Sequence, residues 1–510
     1  MDEPRDVVVV LLDSLNRHLL GCYGGTEFDT PNLDRLAARS VRFTNHHTGS
    51  LPCMPARHDV LVGALDFPWR PWGSIEVWED AVTHLLRRDA GISTMLVSDH
   101  PHLFEMGGEN YHVDFGAWDY LRGHEDDPWR TRPDPSWLGA PALPVRQAPW
   151  ARAYDTARTW FRDEGDFPGP RTMVAAAGWL DREQSAIREP HERSLLVVDE
   201  FDPHEPFDVP EPWASRYDPD WEGERIIWPP YARDAAAAGL TEREGYHLRS
   251  QSGAKLSMID HWLGRILDVL DRNGSWDTTA VILCTDHGHY LGERGTWGKP
   301  AVPVHPELGH IPLLVAWPGV APGTCDALTT TVDLHATLCD TFAVTPAHRT
   351  HGRSLVPLLA GTATSIRDWA LCGVWGREVH VADATRTYAR APVEGNRPLS
   401  MWSNRWSTMP VRAFPDLRLP RPDGRATLDH LPGTDVPVIR QPFDPSDALP
   451  FWAGGRFQGD LLYDRAECHE TGTVRDRSDT AEGKEMAELL RDALVSIEAP
   501  EDQIARLGLG

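Results

Sequence analysis

From Val7 to Leu12 the chain is an unbroken run of valine and leucine, and it stops at Asp13. A strand with one wet face alternates apolar and polar residues. A strand with no polar position has to be covered on both faces, as in a parallel sheet sandwiched by helices. Further strands are predicted at Ile92 to Val97, Leu195 to Val198, Ala280 to Cys284 and Ile311 to Ala316. Helical patterns lie between them. Thr30 and Pro31 read as N-cap and first residue of a short helix running through Ala38. A second helix is predicted near Trp78 to Arg88, before Gly91. The clearest one carries Ile259, Trp262, Leu263, Ile266, Leu267 and Leu270 on one face and stops at Asn273-Gly274. The alternation predicts an α/β fold with a large, mostly parallel sheet. It fades near residue 365, so a unit of 1–365 is expected, followed by a smaller α+β domain of 366–510 with antiparallel strands. A terminal helix is expected from Glu485, with Met486, Leu489, Leu490, Ala493, Leu494 and Ile497 on one stripe. Residues 123–150 and 390–450 show little periodicity and read as surface excursions.

Four strands end in titratable residues: Asp13, Asp99-His100, Asp202-Pro203-His204 and Asp286-His287. In open α/β sheets ligands bind outside the carboxyl ends of the strands, so these groups are expected to converge on one face. Aspartate and neutral histidine are suited to a divalent metal. The segment Ser50-Leu51-Pro52-Cys53-Met54-Pro55-Ala56-Arg57 adds a soft nucleophile four residues before a fixed cation. That pairing fits attack on a tetrahedral anionic centre held by the guanidinium fork. A helix starting here and closing at Gly63 would aim its N-terminus at the same anion.

Composition narrows the partners. Lys plus Arg number 50 against 76 Asp plus Glu, a net charge of −26 over 510 residues. Such a chain repels nucleic acid and anionic membrane, so neither is an expected partner, and an anionic ligand needs local cations. The seven cysteines are widely spread without disulfide or zinc-finger spacing. No apolar run is long enough to span a membrane, and the first residues lack a leader's basic and apolar regions. A reduced, cytoplasmic protein is expected.

Cys53-Met54-Pro55-Ala56-Arg57 resembles the sulfatase signature Cys-x-Pro-x-Arg, and the likeness continues in order along the chain. Asp13 with Gly21-Cys22-Tyr23-Gly24, then Thr30-Pro31-Asn32-Leu33-Asp34-Arg35-Leu36-Ala37, resemble the family's opening strand, loop and helix. Asp202-Pro203-His204-Glu205-Pro206-Phe207 is similar to its substrate-histidine loop. Thr285-Asp286-His287-Gly288, Leu291-Gly292-Glu293 and Trp297-Gly298-Lys299 are similar to its metal- and anion-binding stretch. Ile311-Pro312-Leu313-Leu314, Trp317-Pro318-Gly319 and Leu462-Tyr463-Asp464 follow in order.

The resemblance implies an alkaline-phosphatase-like fold and hydrolysis of a small anionic ester, a sulfate monoester. It implies that a formylglycine-generating enzyme oxidises Cys53 to formylglycine. Asp13, residue 53, Asp286 and His287 would hold one divalent metal, Ca2+ first and Mn2+ as the alternative. Arg57 would hold the aldehyde hydrate, and Lys299 and His204 would bind the ester oxygens, either one protonating the leaving oxygen. Two positions depart from the usual pattern. Ser14 follows Asp13 where most sulfatases have a second acid, as in related phosphonate monoester and phosphodiester hydrolases. Ser98-Asp99-His100-Pro101-His102 has no lysine where sulfatases carry Lys-x-His, leaving His100 or His102 to fill that place. A phosphonate monoester or phosphodiester hydrolase is therefore the alternative. A non-catalytic anion-binding homologue with unmodified Cys53 is the reading from another class.

Overall fold

The computed structural model describes residues 1–105, 107–136, 152–189, 191–299, 302–405, 422–454, 457–471 and 473–510. Its main sheet is built from β1 (Asp6–Leu12), β2 (Val41–Phe43), β3 (Ser93–Ser98), β4 (Ala117–Tyr120), β5 (Ser194–Glu200), β6 (Thr279–Cys284), β7 (Leu313–Ala316) and β8 (Gly323–Cys325). Their spatial order is β8-β2-β7-β6-β1-β5-β3-β4. β1 pairs in parallel with β5 and β6, and only β7 runs against its neighbours. The unbroken apolar run of β1 has the expected cause. Val7, Val9 and Leu11 enter one core, and Val8, Val10 and Leu12 enter another on the opposite face.

The helices divide accordingly. α1 (Pro31–Ala37), α4 (Pro168–Ser185) and α5 (Glu242–Asn273) cover one face. α2 (Cys53–Val62), α3 (Val82–Ala90) and α6 (Val332–Thr341) cover the other. α5 starts with a capping box between Thr241 and Glu244 and ends at Gly274 in the left-handed conformation (φ 60°). Thr30 precedes α1 as predicted, but its hydroxyl does not cap the helix. It accepts a hydrogen bond from Gly21 N instead (3.1 Å).

A second, smaller sheet joins β9 (Ala370–Gly373), β10 (Val379–Ala382), β11 (Arg386–Arg390) and β15 (Leu461–Asp464), all antiparallel. A third contains β12 (Ser400–Ser403), β13 (Thr427–His430) and β14 (Pro437–Pro442). This corrects the reading of 390–450 as a surface excursion of little periodicity, for the described part of that stretch. These strands are short and Leu428 is 80% exposed, so no clean apolar alternation marks them. α7 (Ala481–Ser496) packs Met486, Leu490, Ala493 and Leu494 against Val379, Val381 and Tyr388. The 123–150 excursion needs a similar correction at its start, because His124, Asp126 and Asp127 are buried; residues 137–150 lie outside the described set. No helix among the described residues is long and apolar enough to cross a membrane. All seven cysteines are free.

Several buried imidazoles are held neutral. Burial pushes His46, His335, His351 and His380 down to about 3. An unfolded chain titrates these near pH 6.5 and takes up protons first as pH falls. Their contribution to stability is complete above that pH and is lost progressively toward about pH 3. His58 acts in the opposite sense: burial opposes its charge, but Glu79 prevails and lifts it to about 9. Denaturant midpoints measured across pH are expected to fall steadily below about pH 6.5. A flat profile between about pH 6.5 and 4 would contradict this picture.

Candidate active site

Three adjacent strands, β6, β1 and β5, deliver Asp286, Asp13 and Asp199 to one edge of the sheet. α2 brings Arg57 beneath them, one turn after Cys53. Arg57 is 1% exposed. Its Nε and Nη2 donate to the two oxygens of Asp199 (2.8 and 2.7 Å), and Nη1 donates to Asp286 Oδ2 (2.9 Å). Nη2 also lies 3.0 Å from Asp13 Oδ2, and Nη1 donates to the Cys53 carbonyl (3.2 Å). Burial disfavours the guanidinium charge, but Asp199, Asp13 and Asp286 outweigh it and hold its pKa well above the ordinary value. Arg57 is fully taken up by this bracing. Asp199 was not singled out from sequence. It follows four apolar residues within a strand that runs on to Glu200, and its burial inside the strand is what calls for a buried cation.

Above this floor, ligand atoms of Asp13, Cys53, Asp286 and His287 all lie within 4.8 Å of one another. His287 Nδ1 donates to the Gly288 carbonyl (2.8 Å), which leaves the lone pair on Nε2. Burial keeps this ring neutral. Nε2 faces Asp286 Oδ2 at 3.2 Å and Cys53 Sγ at 3.4 Å. Asp13 Oδ2 is buried with no aligned hydrogen bond, although Arg57 Nη2 stands 3.0 Å away. Lone pairs converging in a dry site repel unless a cation lies between them, so the donor set fits a divalent metal. Gly288 is needed here because a Cβ would come 2.0 Å from the Glu307 carbonyl oxygen.

Ser14 is more than a turn residue. Its φ of 61° is left-handed, a strained state for serine. The conformation is held because Ser14 N donates to Asp286 Oδ1 (3.0 Å) and its hydroxyl to Asp13 Oδ1 (2.8 Å). The Ser14 hydroxyl also lies 3.5 Å from Lys299 Nζ. Lys299 Nζ donates to His204 Nε2 at 2.6 Å, while His204 Nδ1 bonds the Glu205 carbonyl (2.7 Å). Burial lowers His204 to about 4. Burial works against the Lys299 charge too, but Glu205 and the surrounding acids outweigh it and raise its pKa. The proton of this pair therefore belongs to Lys299.

The structure separates the two histidines that sequence left open. His100 Nε2 lies 3.5 Å from Asp13 Oδ2, and its ring packs edge-on to Phe201 (4.4 Å). Burial keeps it neutral. His102 turns toward Glu105 and Glu125, and those acids overcome burial and raise its pKa well above 6.5. Glu205, likewise not singled out, also pairs with His289 (3.1 Å). A cavity of about 310 Å³ opens onto His287 and Lys299, walled by Leu51, Val304, Tyr231 and Trp452.

Replacing Arg57 by Lys keeps one charge but cannot reach three carboxylates from a single planar fork. Arg57→Lys is expected to cost about 3–5 kcal/mol of stability, as when a buried ion pair loses a partner. Denaturation and metal content measured on the same sample check this. Unchanged values in both would mean the bracing is dispensable.

A family model described as Sulfatase matches residues 5–344. The chain is 28% identical to a choline-sulfatase of Rhizobium meliloti over 389 residues, covering 70% of this chain and 72% of the relative. It is 26% identical to a sulfatase of Formosa agariphila over 411 residues, covering 74% and 77%. In fold it is similar to the phosphonate monoester hydrolase of Agrobacterium radiobacter, with a TM-score of 0.61 at 18% identity, covering 97% of this chain and 95% of that one. With the family model spanning well over half its length, the chain belongs to the sulfatase family, on the alkaline-phosphatase-like fold.

Proposed function

We propose that the protein hydrolyses sulfate monoesters with residue 53 matured from cysteine to formylglycine. The observation that carries this reading is the convergence of Asp13, Cys53, Asp286 and His287 within 4.8 Å, beside a buried lysine. As a thiol, Cys53 is a poor nucleophile. Burial, with Asp13 and Asp286 nearby, pushes its pKa well above 9 against the pull of Lys299 and Arg57. The hydrated aldehyde would instead offer one hydroxyl for attack and a second to release the product. Cys53 is 4% exposed, so conversion by a formylglycine-generating enzyme has to precede closure of the fold.

Asp13, residue 53, Asp286 and His287 would hold the metal, whose charge, when bound, polarises the ester's oxygens. Carboxylate oxygens favour Ca2+, and the His287 nitrogen admits Mn2+. Lys299 supplies the cation for the ester's outer oxygens. Lys299 holds the proton that this pair shares, and one of the two groups would give it directly to the leaving oxygen. His100 lies within reach of Asp13, and its small neutral ring stands where the family's usual lysine is missing. The apolar cavity beside Lys299 takes the leaving alcohol. The Tyr231–Trp452 pair (6.0 Å) offers aromatic faces to a cationic one, such as the choline named for the Rhizobium meliloti relative. A reduced intracellular site is consistent with seven free cysteines.

Ser14 favours a second reading, hydrolysis of phosphonate monoesters or phosphodiesters with the same nucleophile. It removes one negative charge from the place where a second acid would stand.

Three outcomes are expected. The peptide containing residue 53, from protein matured with its converting enzyme, shows the mass loss of thiol-to-aldehyde conversion, and Cys53→Ala is inactive. An unmodified thiol in fully active enzyme would sink the mechanism. Chelation abolishes turnover, and Ca2+ restores it better than Mn2+. An aryl sulfate is turned over faster than an aryl phosphodiester or phosphonate monoester; the reverse order by orders of magnitude would establish the second reading.

A further inference from the structure

A second cavity, of about 410 Å³, shares no lining residue with the active-site pocket. It lies between Arg17, in the short turn after β1, and Arg465 of the smaller domain, with Glu293, Arg294, Glu307 and His310 among its walls. Two of its three acids are already paired with cations. Glu293 pairs with His18 (3.1 Å) and Arg249 (2.6 Å), and Glu307 pairs with Arg294 (3.0 Å). Asp326 accepts from the Thr44 hydroxyl (2.6 Å). The two remaining guanidinium groups have no carboxylate partner among the described residues. Arg465 is 8% exposed and bonds the carbonyls of Asp383 and Arg386, Thr387 Oγ1 and Asn45 Oδ1. Arg17 rests over the Tyr23 ring at 4.7 Å, and its Nε is buried with no acceptor.

The nearby imidazoles register the same field. His310 and His47 stack at 4.9 Å, and His310 Nε2 donates to the Thr44 carbonyl (2.6 Å). Burial first, and then Arg17 and Arg465, hold both rings neutral. A chain of net charge −26 has no shortage of acids. Two guanidinium charges with no carboxylate partner facing one cavity, one of them with a buried Nε that has no acceptor, favour an anion between them.

We propose that this cavity binds a tetrahedral oxyanion, sulfate or phosphate, between Arg17 and Arg465. The site is separate from the catalytic one and does not rest on the formylglycine mechanism. Sulfate would arrive either as the free ion or as a group on a larger molecule. The two cavities share the Pro306–Gly309 turn: Glu307 lines this one, and Leu308 lines the other while its carbonyl accepts from Gly288 N (2.9 Å).

The test is calorimetric titration of metal-loaded Lys299→Ala protein, which weakens the catalytic anion site, with inorganic sulfate, inorganic phosphate and a sulfated monosaccharide. The expected result is one saturable oxyanion site. Adding Arg17→Gln is expected to weaken it about tenfold, roughly 1.4 kcal/mol. Arg17→Gln alone is expected to keep the wild-type denaturation midpoint, because it removes no ion pair, and to keep its turnover in sulfate-free buffer. Tighter binding of the sulfated sugar than of free sulfate would identify a group on a larger molecule as the ligand; the reverse would identify the free ion. No saturable binding in Lys299→Ala, or equal binding with and without Arg17, would overturn the proposal.

Discussion

Everything at the catalytic edge depends on one buried guanidinium. Asp13, Asp199 and Asp286 are brought together by three neighbouring strands, and without a cation among them their mutual repulsion in a dry site would be severe. Arg57 meets all three from below. Because it approaches on a helix whose first residue is Cys53, the contact also sets the distance from residue 53 to the carboxylates. The strand ends, the helix and the nucleophile position are therefore a single electrostatic unit. Ligand atoms of Asp13 and Asp286 still gather within 4.8 Å of those of Cys53 and His287, so the lower cation makes the upper site geometrically definite.

A second charged layer stiffens the neighbouring strand ends. Asp202 is held by Lys255 (2.6 Å) and His124 (2.7 Å), and Lys255 also donates to the Pro206 carbonyl (2.6 Å). Burial, with Asp99 and Asp202 nearby, raises Glu200 strongly, and burial with Asp202 raises Asp99 to about 6, so this pair keeps a proton rather than two charges. Phe201 fills the space above, stacking on His204 (4.2 Å) and meeting His100 and His124 edge-on. The loop that carries His204 is thus anchored on both sides before any ligand arrives, as a preorganised proton-transfer pair requires.

How much of this was legible follows from the kind of signal each residue gives. β1 declared itself because a strand buried on both faces has no polar position to blur it. Asp13, Asp286 and His287 were visible because they interrupt such runs at their ends. Asp199 was hidden by the same rule, since it lies inside β5 and passes for the strand's terminator. Lys255 was hidden in α5, where a buried lysine is indistinguishable by periodicity from a solvated one. His124 came from a stretch with no period at all, and only the tertiary structure shows that it turns inward. β13 and β14 were lost for the opposite reason, because they bury too little to impose a pattern, and β12 is buried but has only four residues, two of them serines.

The chain's charge gives these arrangements a common logic. At −26 the molecule's long-range field repels the anions its family acts on. Recognition of an anion must then be local, where desolvated cations act at short range with little screening. Lys299 meets that requirement at the catalytic edge, at 6% exposure beside a histidine kept neutral, so no second charge competes for its proton. Arg17 and Arg465 repeat the pattern in the second cavity, again beside imidazoles kept neutral. At the catalytic edge Asp13, Asp199 and Asp286 are held by Arg57, while Glu205, which sustains the Lys299 charge, also pairs with His289; in the second cavity Glu293 and Glu307 are held by Arg249 and Arg294. In a strongly acidic protein, matching each acid to a dedicated partner is what leaves a few cations able to hold an anion.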